Sequence, residues 1–381
     1  MVKLNDNDSN PSPKRGLQAG SLWIVGLFSA ALLATWVMPG DAAGAQNREL
    51  VAFPAVTTST FADAATYRGF DAAFRDRIGA QVGVALAVGD LSVHVIGRSP
   101  IPRVVLGADR QPFLADDFLL PCGETEDTVK VIRQDFIDGA AELAAAGKYA
   151  LFVVGPDKSS IRRDIVERIS PDLLRCSDFM RAHFESWASD GSTPLLALWD
   201  RVSAIDRATS DAYFTNDTHW NARGASALTA ALLERLVADG QAPAALLEGR
   251  GELVYGTPHV AVTDMNQLMG LTDLDEIRQG SFARPGVVTV GHDTEQTPGV
   301  ERLHYTSTSD GAALVPGKTL LVGDSFLMTQ MPTQLQNYFE DVTFASLSEA
   351  SHASEFDRIV VVRVQREAGT GDWPVVTLNP Q

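Results

Sequence analysis

The apolar runs near the C-terminus constrain the fold most. Residues 319–322 (Thr-Leu-Leu-Val), 342–345 (Val-Thr-Phe-Ala) and 359–364 (Ile-Val-Val-Val-Arg-Val) are short and rich in β-branched side chains. A helix is expected between the first two, over about 327–339. Short apolar strands of this kind, alternating with helices, predict an α/β fold: a mainly parallel sheet covered by helices on both faces. The upstream chain repeats the pattern. A helix over 128–146 places Ile132, Phe136 and Leu143 on one face and precedes the apolar run 149–154, which Gly155-Pro156 stops. Residues 103–107 read as a short strand ending in a turn, and 195–205 as a short helix. Asn221 can cap a helix running to about residue 239, with Leu228, Leu232 and Leu236 as its stripe. Residues 67–95 are helical in pattern, with Phe70, Phe74, Ile78 and Val82 four apart. Residues 240–300 are turn-rich, with strand candidates at 252–255 and 287–290. They read as an insertion or a set of edge strands.

In parallel sheets, sites form where strands reach their carboxyl edge. The tetrad Gly323-Asp324-Ser325-Phe326 stands at such an edge, between an apolar strand and a helix start. A serine there is exposed and close to backbone donors, and Gly323 and Ser325 offer amides for an oxyanion. A serine hydroxyl also needs a base, and the base needs a group that fixes its tautomer. Asp217-Thr218-His219-Trp220 supplies both, with Asp217 and His219 two apart in a loop before a helix. A rival base is His352, following Glu349 downstream of Ser325, where an ordinary esterase of the Gly-Asp-Ser type keeps its acid and histidine. Each motif alone has a bland reading, as a surface loop or a local hydrogen bond. Their joint occurrence favours acyl transfer, with Asp217 and His219 serving Ser325. His94, His183, His259, His292 and His304 lack an acidic partner in sequence and read as structural or surface residues.

The N-terminus places this chemistry outside the cytoplasm. Lys14-Arg15 precede 17 apolar or small residues, 22–38. Positive charge before an apolar core orients the segment with its N-terminus in the cytoplasm. The preferred reading is an uncleaved single-pass anchor; the alternative is a signal segment cleaved near Ala43-Gly44-Ala45. The expected organisation is a cytoplasmic tail (1–20), the membrane or signal segment (21–39), a tether (40–64), a catalytic domain (65–367) and a C-terminal tail (368–381). Cys122 and Cys176 are the two cysteines. In an oxidising compartment they are expected to pair, the alternative being two buried thiols. No Cys/His spacing resembles a zinc site, and neither metal nor cofactor is expected. The net charge of −17 argues against a nucleic-acid partner.

Taken in order, Asp-Thr-His-Trp followed at long interval by Gly-Asp-Ser-Phe resembles the alginate O-acetyltransferase AlgX/AlgJ-type family. Other segments agree with it. They are Asn47-Arg48-Glu49-Leu50 with Phe53-Pro54, then Phe74-Arg75-Asp76-Arg77, Arg103-Val104-Val105-Leu106-Gly107-Ala108-Asp109, and Val154-Gly155-Pro156-Asp157-Lys158. The chain departs from the family where Arg110-Gln111-Pro112-Phe113 replaces the usual Gly-Trp-Leu-Phe. The resemblance runs from about 46 to 367 and implies an SGNH-hydrolase-like domain (flavodoxin-like sheet) with a circularly permuted motif order, acid and base before nucleophile. It further implies that Ser325 takes an acetyl group as an ester, with His219 as base then acid and Asp217 orienting it. The acetyl group would pass to a hydroxyl of an exported polysaccharide, from a donor delivered by a membrane O-acyltransferase. Gly323, Trp220, Asn221 and Lys158 are candidate oxyanion or substrate residues. Trp220 stacks on a sugar or packs the loop; Lys158 faces the cleft or is structural. The acidic net charge makes a neutral or less charged glycan a better acceptor than alginate. An esterase that releases acetate to water, and a non-catalytic polysaccharide-binding scaffold, are the competing readings.

Overall fold

A computed structural model describes residues 51–370 except 56, 58–59, 61–62, 77–78, 192, 210, 298–299 and 348–352. The expected membrane segment, its cleavage site, the rival base His352 with Glu349, and the last eleven residues lie outside the described residues. Among the described residues no helix is long and apolar enough to cross a membrane. The chain divides into two compact units, with the boundary between Ile96 and Gly97. The first contains helices Ala64–Asp76 and Gly79–Asp90 and a π-helical turn, Leu91–Ile96. Within it Phe53 packs on Phe70, ring centroids 5.9 Å apart.

The second unit is built on a seven-stranded sheet. Its strands are β1 (Tyr149–Gly155), β2 (Leu195–Ala197), β3 (Val287–Thr297), β4 (Val300–Ser309), β5 (Val315–Gly323), β6 (Phe339–Ser346) and β7 (Arg358–Val364). They lie in the order β2-β1-β7-β5-β6-β4-β3. Neighbours from β2 to β6 are parallel. The β3–β4 hairpin adds an antiparallel edge through β6. The helices used below are α1 (Glu126–Ala145), α2 (Arg175–Asp190), α3 (Trp199–Thr209), α4 (Ala222–Ala238), α5 (Asp264–Met269), α6 (Ser325–Leu335) and α7 (Gln365–Ala368). This is the α/β class expected from the sequence, a mainly parallel sheet with helices on both faces.

The runs are continuously apolar because successive side chains enter opposite layers. Leu151, Val153, Leu321, Val360 and Val362 pack against Leu228 and Leu232 of α4 and Phe326 and Met331 of α6. Phe152, Val154, Leu320, Val322, Ile359 and Val361 pack against Phe136 of α1, Phe184 of α2 and Trp199. Burying such a Leu, Val or Phe stabilises by about 1.5–3 kcal/mol. Thr125 caps α1 by accepting from the Thr128 amide.

Two expectations need correction. Residues 195–197 form edge strand β2, paired with Phe152–Val154, and only Trp199 onward is helical. An apolar run of this length suits either state, and a free edge on β1 decided it. Val104–Leu106 is the short strand expected, and it pairs with Pro112–Leu114 in a separate small sheet. The helix after Ser325 ends at Leu335 and passes through a 3₁₀ turn, Gln336–Tyr338, before β6. In the turn-rich region Glu252–Tyr255 is a strand as read, pairing with Gly280–Ala283, and the strand read over 287–290 extends to Thr297. The region also contains α5, which carried no sequence signal.

Candidate active site

Strand β5 delivers Ser325 to the carboxyl edge of the sheet. Gly323 cannot carry a side chain there: a Cβ would lie 2.5 Å from the Val362 carbonyl oxygen and 2.9 Å from the Leu327 Cβ. Asp324 turns its carboxylate inward and caps α6, accepting from the Phe326 amide at 2.9 Å and the Val364 amide at 2.7 Å. Burial pushes its pKa up, against these two amides and the nearby Arg366 charge, which favour the ionised form. Ser325 is thereby left exposed as the first residue of α6, in the turn whose amides a helix cannot satisfy internally. It opens on a cleft of about 600 Å³ lined by Asp324, Met328, Thr329, Ser346 and Leu347.

The second motif meets the first here. His219 Nε2 lies 2.8 Å from Ser325 Oγ, and Nδ1 lies 2.6 Å from Asp217 Oδ1. The same Asp217 oxygen accepts from the His219 amide at 2.8 Å. Nδ1 therefore donates to the carboxylate, and Nε2 is free to accept the serine proton. Burial pushes the His219 pKa down, but the hydrogen bond and charge of Asp217, with the charge of Asp264, outweigh it and hold the imidazole above its usual value. Burial likewise pushes Asp217 up, and His219 outweighs it, holding the carboxyl below its usual range.

The remaining candidates are brought to the site but face away from the cleft. Trp220 is 0% exposed, so it offers no platform for a sugar. It packs on Gly155 and Gly224, where a Cβ would lie 2.9 Å from its side chain in each case. Its indole N–H donates to the Phe326 carbonyl at 3.1 Å, and the two rings meet edge-on. Lys158 is 1% exposed and likewise cannot face the cleft. Its ammonium donates to the carbonyls of Pro112 (3.1 Å), Thr215 (2.6 Å) and Asp217 (3.1 Å), which fixes the loop carrying the acid. Burial lowers its pKa to about 8, against the opposing pull of Asp217 and Asp264. Asn221 caps α4, accepting from the Arg223 and Gly224 amides at 2.9 and 3.1 Å, while its Nδ2 donates to Asp211. With both ends engaged, the Asn221 side chain has no donor left for an oxyanion. Among the described residues, three of the other histidines do have an acidic partner: His304 meets Asp341 across the β4–β6 pair at 3.1 Å, His183 lies 3.7 Å from Glu126, and His94 lies 3.8 Å from Asp90.

Sequence reasoning missed two groups. One is a buried ionic cluster beneath the turn. Arg366 of α7 donates to Asp157 at 2.6 Å and Asp117 at 3.2 Å, and its guanidinium lies 5.5 Å from the Phe326 ring centre. The other is Asp264, which accepts from the Thr218 amide at 3.0 Å and the Thr218 hydroxyl at 2.5 Å. Asp264, Asp117 and Arg366 belong to no local motif, and Asp157 stands in the segment 154–158 without its sequence showing the tie to Arg366. Asp217, His219 and Asp264 also bring three metal-ligating side chains together. Their near atoms are spent on one another and on Thr218, so the set reads as a hydrogen-bonded cluster and not as a metal centre. Cys122 and Cys176 form the expected disulfide, with Cα atoms 4.9 Å apart.

Among solved structures, the chain aligns with the O-acetyltransferase domain of Pseudomonas putida AlgJ. It shares 15% identity at TM-score 0.49, over 70% of this chain and 93% of that one. Pseudomonas aeruginosa AlgX aligns at 14% identity and TM-score 0.43, covering 68% of this chain and 61% of its own. Bacillus cereus PatB1 aligns at 11% and 0.45, covering 66% and 94%. No curated protein sequence matches the chain. Residues 104–359, which include β1, β2, β5 and β6, the Asp217–His219 loop and the Ser325 turn, match the family model described as the SGNH hydrolase-like domain of the acetyltransferase AlgX. On that match, over more than half its length, the chain belongs to the AlgX/AlgJ-type acetyltransferase family.

Proposed function

We propose that the protein is an extracytoplasmic O-acetyltransferase that moves an acetyl group, through an ester on Ser325, to hydroxyls of an exported polysaccharide. The observation that carries this reading is the continuous hydrogen-bonded path from Asp217 through His219 to Ser325, at 2.6 and 2.8 Å, in a chain of an acetyltransferase family. In the first half-reaction His219 Nε2 takes the Ser325 proton as Oγ attacks the acetyl carbonyl of the donor. The tetrahedral intermediate collapses, the leaving group takes the proton from Nε2, and acetyl-serine remains. In the second, Nε2 takes the proton of an acceptor hydroxyl. The alkoxide attacks the ester carbonyl, and Ser325 leaves and recovers the proton. Asp217 holds the tautomer and stabilises the imidazolium in both. The Ser325 amide, in the first turn of α6, faces the oxyanion of each intermediate.

The donor is delivered by a membrane O-acyltransferase, and residues 22–38 anchor the protein to the membrane with the catalytic unit outside the cytoplasm. The net charge of −17 favours a neutral glycan over a polyanion as acceptor. The exposure of Ser325 supports a second reading, an esterase, in which water takes the place of the acceptor hydroxyl.

The test is incubation with an activated acetyl ester, with and without neutral oligosaccharide, read by mass spectrometry. Acetyl on Ser325 that moves to the oligosaccharide, absent in Ser325→Ala, is the expected result. Acetate release alone selects the esterase. Failure of both, with no labelling of Ser325 by a serine-directed sulfonyl fluoride, leaves a binding scaffold. Membrane fractionation of full-length protein against one lacking residues 22–38 tests the anchor.

A further inference from the structure

Among the groups around His219, one carboxylate has no part in the path to Ser325. Asp264 opens α5, in the turn-rich segment between α4 and the β3–β4 hairpin. Its two oxygens take both polar protons of Thr218, the amide at 3.0 Å and the hydroxyl at 2.5 Å. Thr218 is the residue between Asp217 and His219, so whatever fixes Thr218 fixes both of its neighbours. Asp264 also donates its own amide to Asp217 Oδ2 at 3.4 Å, and its carboxylate lies 3.8 Å from His219 Nδ1. The support continues outward through Asp275, which accepts from Thr263 at 2.6 Å, Asn266 at 3.2 Å and Asn216 at 2.8 Å. The arrangement spans the loop before α4, α5 and the strand Asp275–Ile277. It leaves a carboxylate with two donors beside an imidazole that already has a carboxylate of its own.

We propose that Asp264 is a second carboxylate of this site, a positioning residue that clamps Thr218 and stabilises the His219 imidazolium formed in each half-reaction. The inference rests on the reading of His219 as base to Ser325. The groups facing His219 are Asp217 from its own loop, Asp264 from α5, Ser325 from α6 and the Arg366 charge from α7, with Lys158 behind Asp217. Arg366 opposes the imidazolium, so a single carboxylate would have to stabilise it against that charge, and Asp264 adds the second. The direction of the His219 shift agrees, since Asp264 is one of the charges that raise it.

The experiment compares wild type with Asp264→Asn and Asp264→Glu in two readouts. The first is NMR titration of the His219 ring, which needs no substrate. In Asp264→Asn the midpoint moves to lower pH, and Asp264→Glu restores most of the shift. The second is acetyl transfer. In Asp264→Asn, kcat falls roughly tenfold or more with KM for the donor within about twofold, as loss of transition-state charge stabilisation requires. In the wild-type protein the Asp264 carboxyl carbon also follows the His219 titration, a measurement independent of whether the Asn variant folds. An unmoved His219 midpoint in Asp264→Asn, or a carboxyl carbon that does not sense the His219 step, overturns the proposal. Wild-type protein that never acetylates Ser325 defeats the parent reading instead, and the two titrations still decide on Asp264.

Discussion

At the scale of single residues the site is a set of opposed pKa shifts. His219 is held above its usual value of about 6.5 and Asp217 below its usual value of about 3.9. A base must be neutral to accept the Ser325 proton, so kcat/KM should rise with pH, with its half-maximum above about 6.5. A rate profile on an activated acetyl ester checks this; a half-maximum well below that value contradicts it. Stability runs the other way. A histidine with a raised folded pKa contributes stability that is complete below about pH 6.5 and is lost as pH climbs through the folded value. The Tm advantage of wild type over His219→Gln should therefore shrink across the range in which activity appears. Asp217 contributes above about pH 3.9 and loses its share only as pH falls through its depressed value. Replacing Asp217 by Asn keeps the shape but lets the imidazole take the wrong tautomer. The expected loss is about 10⁴-fold in kcat, measured at an unchanged CD spectrum.

At the scale of elements, the β5–α6 turn is held by contacts that reach across the sheet edge. Asp324 serves α6 and β7 together, so Asp324→Ala strands two amides. It should destabilise by about 1–3 kcal/mol in denaturant unfolding, with a disproportionate loss of activity because Ser325 loses its placement. Trp220 couples the histidine loop to α6 through the Phe326 carbonyl and ring. Trp220→Ala should cost about 3–5 kcal/mol, as expected for a large ring lost from a packed core. Trp220→Phe should leave KM for the glycan unchanged, since the ring never meets it. A raised KM with intact stability would restore the sugar-platform reading. The same element-scale packing explains the one strand read as a helix. Leu195–Ala197 is apolar enough for either state, and hydrogen bonding to β1 selects the strand.

At the scale of the whole molecule, the disulfide joins α2 to the turn before α1 across a separation of 54 residues. Closing such a loop stabilises by about 4 kcal/mol in the chain-entropy account. Reduction, or Cys122→Ser with Cys176→Ser, should lower Tm by several degrees, read by thermal melts with and without reductant; an unchanged Tm would show that the bridge is dispensable. Much of the fold, and the groups that meet at the candidate site, was readable beforehand. Apolar runs buried on both faces announce a parallel sheet through composition alone, and Asp217, His219 and Ser325 sit in short contiguous motifs whose chemistry is local. Asp264, Asp117 and Arg366 were not readable, because each acts through a partner on another element and carries no neighbour in sequence that betrays it; Asp157 stood beside Lys158 in a visible segment, but its tie to Arg366 did not show. Trp220, Lys158 and Asn221 were visible but misassigned in part, since residue type does not say which way a side chain points. The chain's own order therefore settles which elements form and which groups could react, because periodicity and turn chemistry are properties of neighbours in sequence. Which strand takes an edge, which polar groups are buried and which carboxylate reaches the imidazole were decided only in three dimensions. Those choices depend on distances between residues that the chain keeps far apart until it packs.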